Sequence, residues 1–359
     1  MKTHLFIVTG LLLTQTVFAQ AEDRSLSEIR QKAVQFLEVT QNPDGSWTKP
    51  EMVGITGLVT ASLLQSGVPA DHPMVANGLK NLLAQQQPSG GFHTKDSLQK
   101  NYETCITVFA LSAANQDGRY NEQISRAEKF LRGLQWDQGE GIESSHPAWG
   151  GGGYGSHQRP DMSNTQYLIE ALKAAGVKED DEAMQKILVF VSRTQNLEGH
   201  GNDTRFAGLI NDGGFYYTPA AGGDSKAGTT ENGGLRSYGS MTYAGVKSLI
   251  YAGLKKDDER VAMALQWIRK HYTLQENPGM GQQGLYYYFH TFGKTMTALG
   301  DDAFADEAGQ VHDWRAELKQ RVASLQQENG SWVNPADRWY EGDPNLVTAY
   351  CLMALSYCD

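Results

Sequence analysis

The seven residues "QNPDGSW" at 41–47 return almost unchanged as "QQENGSW" at 326–332, near opposite ends of a 359-residue chain. Glutamine, three variable residues, glycine, one variable residue and an aromatic ring, kept that far apart, imply a repeated architecture with more copies between. Gln86–Phe92 ("QQPSGGF") is one, and a damaged copy starts at Gln195 ("QNLEGHG"). Each copy closes an amphipathic stretch. Ile29, Ala33, Phe36 and Leu37 share one helical face before the first, and Leu318, Val322 and Leu325 do so before the last. Gly45, Gly90 and Gly330 suit the left-handed turn that ends a helix, and the ring behind each can fold back onto the helix end. The motif therefore reads as structural punctuation, and its glutamines and tryptophans as scaffold.

After each stop comes a second helix of different character: "VGITGLVTASLL", "NYETCITVFALSA", "DMSNTQYLIEALKAAG", "GSMTYAGVKSLIYAG", "GLYYYFHTFGKTMTALG" and "DPNLVTAYCLMALS". These are apolar almost all round, which predicts burial on most sides. Thr56, Thr104, Thr165, Thr242 and Thr348 align in them as small helix-contact residues, with Phe292 in the slot of the fifth. Amphipathic partners are expected over 26–41, 72–87, 121–136, 180–195, 257–272 and 312–327. Six half-exposed helices alternating with six buried ones predict two concentric rings, an all-α α6/α6 toroid with almost no strand. Ring closure leaves no terminal repeat to cap. Residues 20–359 are expected to form this one domain, with loop insertions at 137–160 and 196–239.

The first 19 residues read as a secretory signal peptide: Lys2, an apolar run from Leu5 to Val17, and "VFA" before a cut after Ala19. No second long apolar run follows, so the mature chain is expected to be exported and to carry no transmembrane segment. The formal charge of −10, with no Lys/Arg cluster, excludes nucleic acid and anionic membrane surfaces as partners. Cys105, Cys351 and Cys358 form no metal or redox motif. Cys105 and Cys351 fall on inner helices two apart, and Cys351 and Cys358 lie ~10 Å apart along one helix, so all three are expected to be free.

The Gln-x-x-x-Gly-x-Trp punctuation resembles the repeat of squalene and hopene cyclases, and the inner/outer helix order also resembles the β subunits of protein prenyltransferases. The stretches "WGGGGYGSHQRPDMSNTQYLIEALKAAG" and "GSMTYAGVKSLIYAGLKKDDERV" resemble exported bacterial proteins with prenyltransferase/squalene-oxidase repeats. The resemblance implies the toroid and a hydrophobic, isoprenoid-like ligand. It does not extend to the hallmark chemistry. The Asp-x-Asp-Asp acid motif of the cyclases is absent, and Asp180–Asp181, Asp257–Asp258 and Asp301–Asp302 read as caps of outer helices. Val347 stands where prenyltransferases place a zinc-binding histidine, and neither Asp-x-Cys nor a Cys-Gly-Glu-Gln thioester is present. No cofactor or metal is expected.

The long connections all run from outer to inner helices, so the loops should gather at one mouth, above six inner-helix N-termini whose dipoles favour negative charge. Glu103, Asp161, His290 and Asp343 are the candidate catalytic groups there, and Asn164, Tyr243, Tyr287, Lys294 and Arg159 the candidate ligand contacts. Tyr287, His290 and Lys294 share one face of the fifth inner helix. Asp161 and Asp343 also read as helix caps. The tyrosine run 286–288, with Phe289, is expected to line the cavity, and His146 and His157 stand on a glycine-rich lid. Three functions fit: a terpene-cyclase-like enzyme or carrier for a hydrophobic ligand, an exported polysaccharide-degrading enzyme, and a non-catalytic binding module.

Overall fold

A computed structural model describes residues 25–155 and 159–359. The signal-peptide reading and His157 lie outside the described residues. The helices, in chain order, are α1 (Leu26–Thr40), α2 (Val53–Gln65), α3 (Pro73–Ala84), α4 (Lys100–Ala114), α5 (Asn121–Arg132), α6 (Met162–Ala174), α7 (Glu182–Arg193), a single turn α8 (Ala207–Ile210), α9 (Gly239–Tyr251), α10 (Glu259–Lys270), α11 (Leu285–Leu299), α12 (Trp314–Ser324) and α13 (Pro344–Leu355). One two-residue hairpin, Phe304–Ala305 with Val311–His312, is the only sheet among the described residues.

The predicted toroid is present. Helices α2, α4, α6, α9, α11 and α13 pack side by side in that order, and α13 returns to α2. Outer helices α3, α5, α7, α10 and α12 each pack on the inner helix before them, and α1 packs on α13. Inner helices are buried nearly all round, as their composition demands. Caps sit where the sequence places short polar residues: Asp161, Asp181, Asp258 and Asp343 each accept from a first-turn N–H. Asp301 and Asp302 do not; they pair with Lys256 and Arg315 at the surface, because the hairpin intervenes and Asp313 caps α12.

The punctuation proves to be a stitch. Gln41 donates to its own Gly45 carbonyl (3.1 Å) and to the Met74 carbonyl at the start of α3 (2.9 Å). Gln326 does the same to Gly330 (2.9 Å) and to Ile29 of α1 (3.0 Å), which closes the ring. Each partner glycine has positive φ and lies so near the next outer helix that a Cβ would sit 2.4 Å from Asn77 O at Gly45 and 2.3 Å from Lys32 O at Gly330. Only glycine fits there. The tryptophan behind folds back as expected: Trp47 Nε1 donates to Leu37 O and Trp332 Nε1 to Val322 O, both at 2.8 Å.

One copy differs from the sequence reading, and a further one is absent from it. Gln195 completes its stitch with Gly213 and Arg260, not with the nearby Gly199 or Gly201, and Gln135 pairs with Gly150 and Ala183. Loop insertions split both motifs, so their halves lie far apart in sequence while the geometry is kept.

The aligned threonines are part of the same device. The Oγ1 of Thr56, Thr104, Thr165, Thr242 and Thr348 accepts from the backbone N–H of Trp47, Phe92, Gly152, Phe215 and Trp332, at 3.2, 3.0, 3.0, 3.1 and 3.3 Å. They are the latch between each stop and its inner helix, rather than mere small contacts. In α11 the equivalent position is Phe289 and not Phe292: it lies five residues before Lys294, as Thr165 and Thr242 lie five before Glu170 and Lys247, and Glu170 bonds both lysines.

Candidate functional site

A residue five positions beyond the latch lies 140° round the helix, on the face turned to the ring axis. Counting from Thr56, Thr104, Thr165, Thr242, Phe289 and Thr348, this position holds Ala61, Phe109, Glu170, Lys247, Lys294 and Met353. Three successive inner helices thus send charges to one point. Glu170 bonds both Lys247 and Lys294, and Lys247 also donates to Gln166 Oε1 at 2.7 Å. The Glu170 and Lys247 side chains are 3% and 1% exposed, whereas Lys294 keeps 18%, so water reaches only the edge of the triad. Lys294 also lies over the Phe109 ring, 5.2 Å from its centroid.

Burial works against the Glu170 charge, but Lys247, Lys294 and a bond from Lys247 overcome it and hold the carboxyl down at about 2. Lys247 loses more to burial than it gains from Glu170, and Lys294 repels it, so it falls to about 8. His290 stacks on Tyr350 with centroids 6.0 Å apart. Burial first, then the two ammoniums, push it down to about 3, so it is a neutral imidazole, and its Nδ1 has no partner among the described residues.

Toward the mouth lies a second layer. The Tyr102 hydroxyl meets Ser163 Oγ at 2.6 Å, Ser163 meets the Tyr287 hydroxyl at 3.3 Å, and Gln166 Nε2 donates to Tyr287. A hydrogen-bonded path therefore runs from Tyr102 through Ser163, Tyr287, Gln166 and Lys247 to Glu170. Above it Tyr154 stacks on Tyr102 (6.0 Å) and shares a 3.3 Å hydroxyl contact with Tyr217.

The mouth itself holds a cavity of about 410 Å³ lined by Tyr154, Arg159, Tyr217, Lys226 and Trp339. Arg159 and Lys226 both lie over the Tyr217 ring, 5.2 and 4.5 Å from its centroid, and both bond Asp224 Oδ2, at 3.1 and 2.5 Å. Its position follows from the inner helices. Met162 N at the start of α6 donates to Tyr217 O, and Trp339 packs over Gly284 at the cap of α11. Both predicted loop insertions contribute, 137–160 through Tyr154 and Arg159, and 196–239 through Tyr217 and Lys226.

Among the predicted residues, Tyr287, His290 and Lys294 meet on the axis and Arg159 lines the mouth cavity. Asp161 is fully buried beneath it. Its oxygens accept from Asn164 N (2.9 Å) and Asn164 Nδ2 (3.0 Å); burial raises its carboxyl to about 6 against those bonds and one from Tyr217. Asp161 and Asn164 thus form one capping unit below Tyr217. Glu103, in the first turn of α4, is buried with Oε2 unpartnered among the described residues, and burial lifts it to about 7. Asp343 caps α13 through Leu346 N at 3.0 Å, away from the triad.

Tyr243 does not reach the axis. It packs edge-on against Tyr288 (5.4 Å) and beside Phe292, in the layer between inner and outer rings, because it neighbours the outward latch position. For the same reason Tyr286, Tyr288 and Phe289 face away from the cavity, and only Tyr287 of that run faces it. His146 is exposed, and among the described residues no three His, Cys, Asp or Glu side chains gather as a metal site. Cys105, Cys351 and Cys358 are free. Sequence reasoning missed Glu170 and Lys247, each a buried charge in a mostly apolar helix, and also Glu341. That carboxylate accepts from Tyr287 N (2.8 Å) at the start of α11 and from Asn334 Nδ2 (2.6 Å), and burial raises it to about 7.

Comparison with solved structures identifies the fold. The type II terpene cyclase MstE from Scytonema superimposes with a TM-score of 0.54 at 14% identity, covering 92% of this chain and 97% of that one. The fold is the terpene-cyclase toroid. A family model, the squalene-hopene cyclase C-terminal domain, matches residues 48–218. A single-residue variant of MstE has also been solved with its substrate, geranylgeranyl dihydroxybenzoate (TM-score 0.54, 13% identity, 93% and 97% coverage). A possible member of the GH105 family from Salmonella enterica serovar Paratyphi A shares the same terpene-cyclase-like toroid, with a TM-score of 0.54 at 9% identity over 98% of both chains. Among curated proteins, alpha-onocerin synthase LCD of Lycopodium clavatum is 25% identical over 155 residues, 37% of this chain. The match spans about a fifth of that relative's length. No helix of the described residues is long and apolar enough to cross a membrane.

Proposed function

We propose that this terpene-cyclase-like toroid binds an isoprenoid-like amphiphile with an acidic head at its loop-rich mouth. One observation carries the reading: a cavity of about 410 Å³ that sets three aromatic rings beside two cations. Its size is within the range of small-ligand pockets. Tyr154, Tyr217 and Trp339 offer faces to an apolar or cyclic body, while Arg159 and Lys226 offer charge-assisted bonds to an anionic head. The inner-helix N-termini below add positive potential. The geranylgeranyl dihydroxybenzoate bound by MstE is a molecule of this kind. The axis beneath is occupied by the tyrosine layer and the ion triad, so the ligand rests at the mouth. Export through residues 1–19 belongs to the same proposal and is checked by N-terminal sequencing of the mature protein.

Calorimetric titration with geranylgeranyl dihydroxybenzoate, geranylgeraniol and oligogalacturonate tests it. The acid-headed isoprenoid should bind, and the Arg159→Ala/Lys226→Ala variant should bind it roughly tenfold or more weakly. Melting temperature should barely move, because half-exposed ion pairs contribute only about 0.2–1 kcal/mol. Binding of oligogalacturonate alone would overturn the isoprenoid reading in favour of a saccharide.

A further inference from the structure

We infer that Asp224 is an internal stand-in for the ligand's acidic group, and that the mouth selects a carboxylate by exchange with it. The inference rests on the mouth-binding reading above. Asp224 places one carboxylate oxygen against both cavity cations, Arg159 Nη2 at 3.1 Å and Lys226 Nζ at 2.5 Å. Both cations also lie over the Tyr217 ring, so the carboxylate sits beside an aromatic face, as the head of an aromatic or cyclic acid would.

The main chain at this point is fixed, and the side chain has somewhere to go. Thr218 and Asp224 exchange two backbone hydrogen bonds, at 3.1 and 2.9 Å. Gly223, at φ +84°, packs so tightly that a Cβ would lie 2.3 Å from Phe206 and 2.9 Å from Leu235. Those two residues and Tyr216 form a small hydrophobic cluster of their own. The carboxylate itself is 34% exposed, so a rotation about its own side-chain bonds carries it into solvent without moving the loop.

Charge favours an exchange of like for like. Two cations facing one carboxylate leave the cavity with one net positive charge. A monocarboxylate that replaces Asp224 restores the same pairing, and Asp224 regains hydration outside. The cost of displacing Asp224 lowers apparent affinity for every acidic ligand, and removing its charge lifts that cost.

Two sources present this chemistry, the benzoate head of a prenylated aromatic acid and the uronate of a saccharide, and the experiment separates them. Dihydroxybenzoate, geranylgeranyl dihydroxybenzoate and galacturonate are titrated into wild type, Asp224→Asn and Glu231→Gln. Glu231 is exposed on the same loop, so its variant removes an equal charge without touching the cations. Asp224→Asn should bind dihydroxybenzoate roughly two- to fivefold tighter than wild type, the scale of a half-exposed ion pair. Glu231→Gln should match wild type. An equal gain in both variants, or no gain in Asp224→Asn, overturns the exchange. If Arg159→Ala/Lys226→Ala still abolishes binding of the prenylated acid when Asp224→Asn brings no gain, the mouth site stands and the exchange alone falls. A gain for galacturonate with no binding of either benzoate supports the exchange and moves the ligand to a saccharide. Should Asp224→Asn fail to fold, wild type gives the answer: the Asp224 carboxyl carbon-13 resonance should move toward that of a free carboxylate as dihydroxybenzoate is added. A resonance that stays in place while ligand binds overturns the inference.

Discussion

Between the two rings of helices, five threonines make the same bond five times; along the axis, the equivalent inner-helix position holds alanine, phenylalanine, glutamate, lysine, lysine and methionine. Both regions are built from the same six-fold repeat. In the belt, each hydroxyl satisfies a buried backbone N–H that five of the six repeats present, so those five share the same answer. On the axis the six side chains meet one another, and what each must be depends on what the others are. Repetition marks the scaffold of this protein, and departure from repetition marks its chemistry.

Four substitutions can break or sharpen that contrast. The largest effect is expected at Glu170→Gln, which leaves Lys247 and Lys294 facing each other without their counter-charge. Removing one member of a buried ion cluster costs about 3–5 kcal/mol, measurable by urea denaturation. Converting Glu170, Lys247 and Lys294 together to methionine should instead be near neutral, since it also removes the desolvation cost. A triple variant as unstable as the single one would show that the triad is a scaffold element like the belt.

Next is Gly330→Ala, in the stitch that closes the ring. It forces a Cβ to 2.3 Å from Lys32 O at a φ of +90°, and overpacking with strain there should cost about 2–4 kcal/mol. Gly228→Ala also has positive φ but meets nothing within 4 Å, so its loss should be smaller; equal losses would mean that conformation, not the stitch, matters. Thr348→Val keeps the shape of a latch and removes its oxygen. The buried Trp332 N–H then lacks a partner, at a cost of about 1–3 kcal/mol, and the other four latches should respond alike. A neutral result at Thr348 would break the belt argument.

Glu103→Gln is the one of the four expected to stabilise, and its effect grows with pH. Burial raises the Glu103 carboxyl from 4.5 to about 7. Between these values the folded state keeps a proton that the unfolded chain releases, so this group lowers wild-type stability as pH rises through the window. The glutamine variant should match wild type near pH 4 and gain on it as pH rises, by at most about 3 kcal/mol at pH 8. Thermal melts with a gap that is flat in pH would contradict the buried carboxyl.

How much was legible in the sequence follows the same division. The alternation of apolar and amphipathic helices, and the Gln41 and Gln326 motifs, display the toroid because belt positions repeat. Gln135 and Gln195 hide their partners Gly150 and Gly213 behind inserted loops, so a search at fixed spacing passes them by. On the axis, the rule that singled out His290 and Lys294, a polar residue in an apolar helix, applies equally to Glu170 and Lys247. The tyrosine run misled because aromatic character does not tell which side of a helix a residue is on; the latch register does, and it puts Phe289 and not Phe292 in the slot. Tyr154, Tyr217, Lys226 and Trp339 come from loops without periodicity. Glu341 serves a helix that starts 56 residues earlier in the chain (341 − 285), a distance no local pattern spans.

The contact from Gln326 to Ile29 has a bearing on how the molecule comes apart. An open array of repeats unravels from its ends, where a unit has one neighbour instead of two, and its terminal units exchange amide hydrogens first. Here the sixth repeat leans on the first, so each inner helix has two neighbours and fraying has no preferred starting place. Opening the ring anywhere removes an interface that the remaining five cannot replace by sliding. The toroid should therefore lose its structure as one cooperative unit, with hydrogen-exchange protection falling across all six inner helices in step.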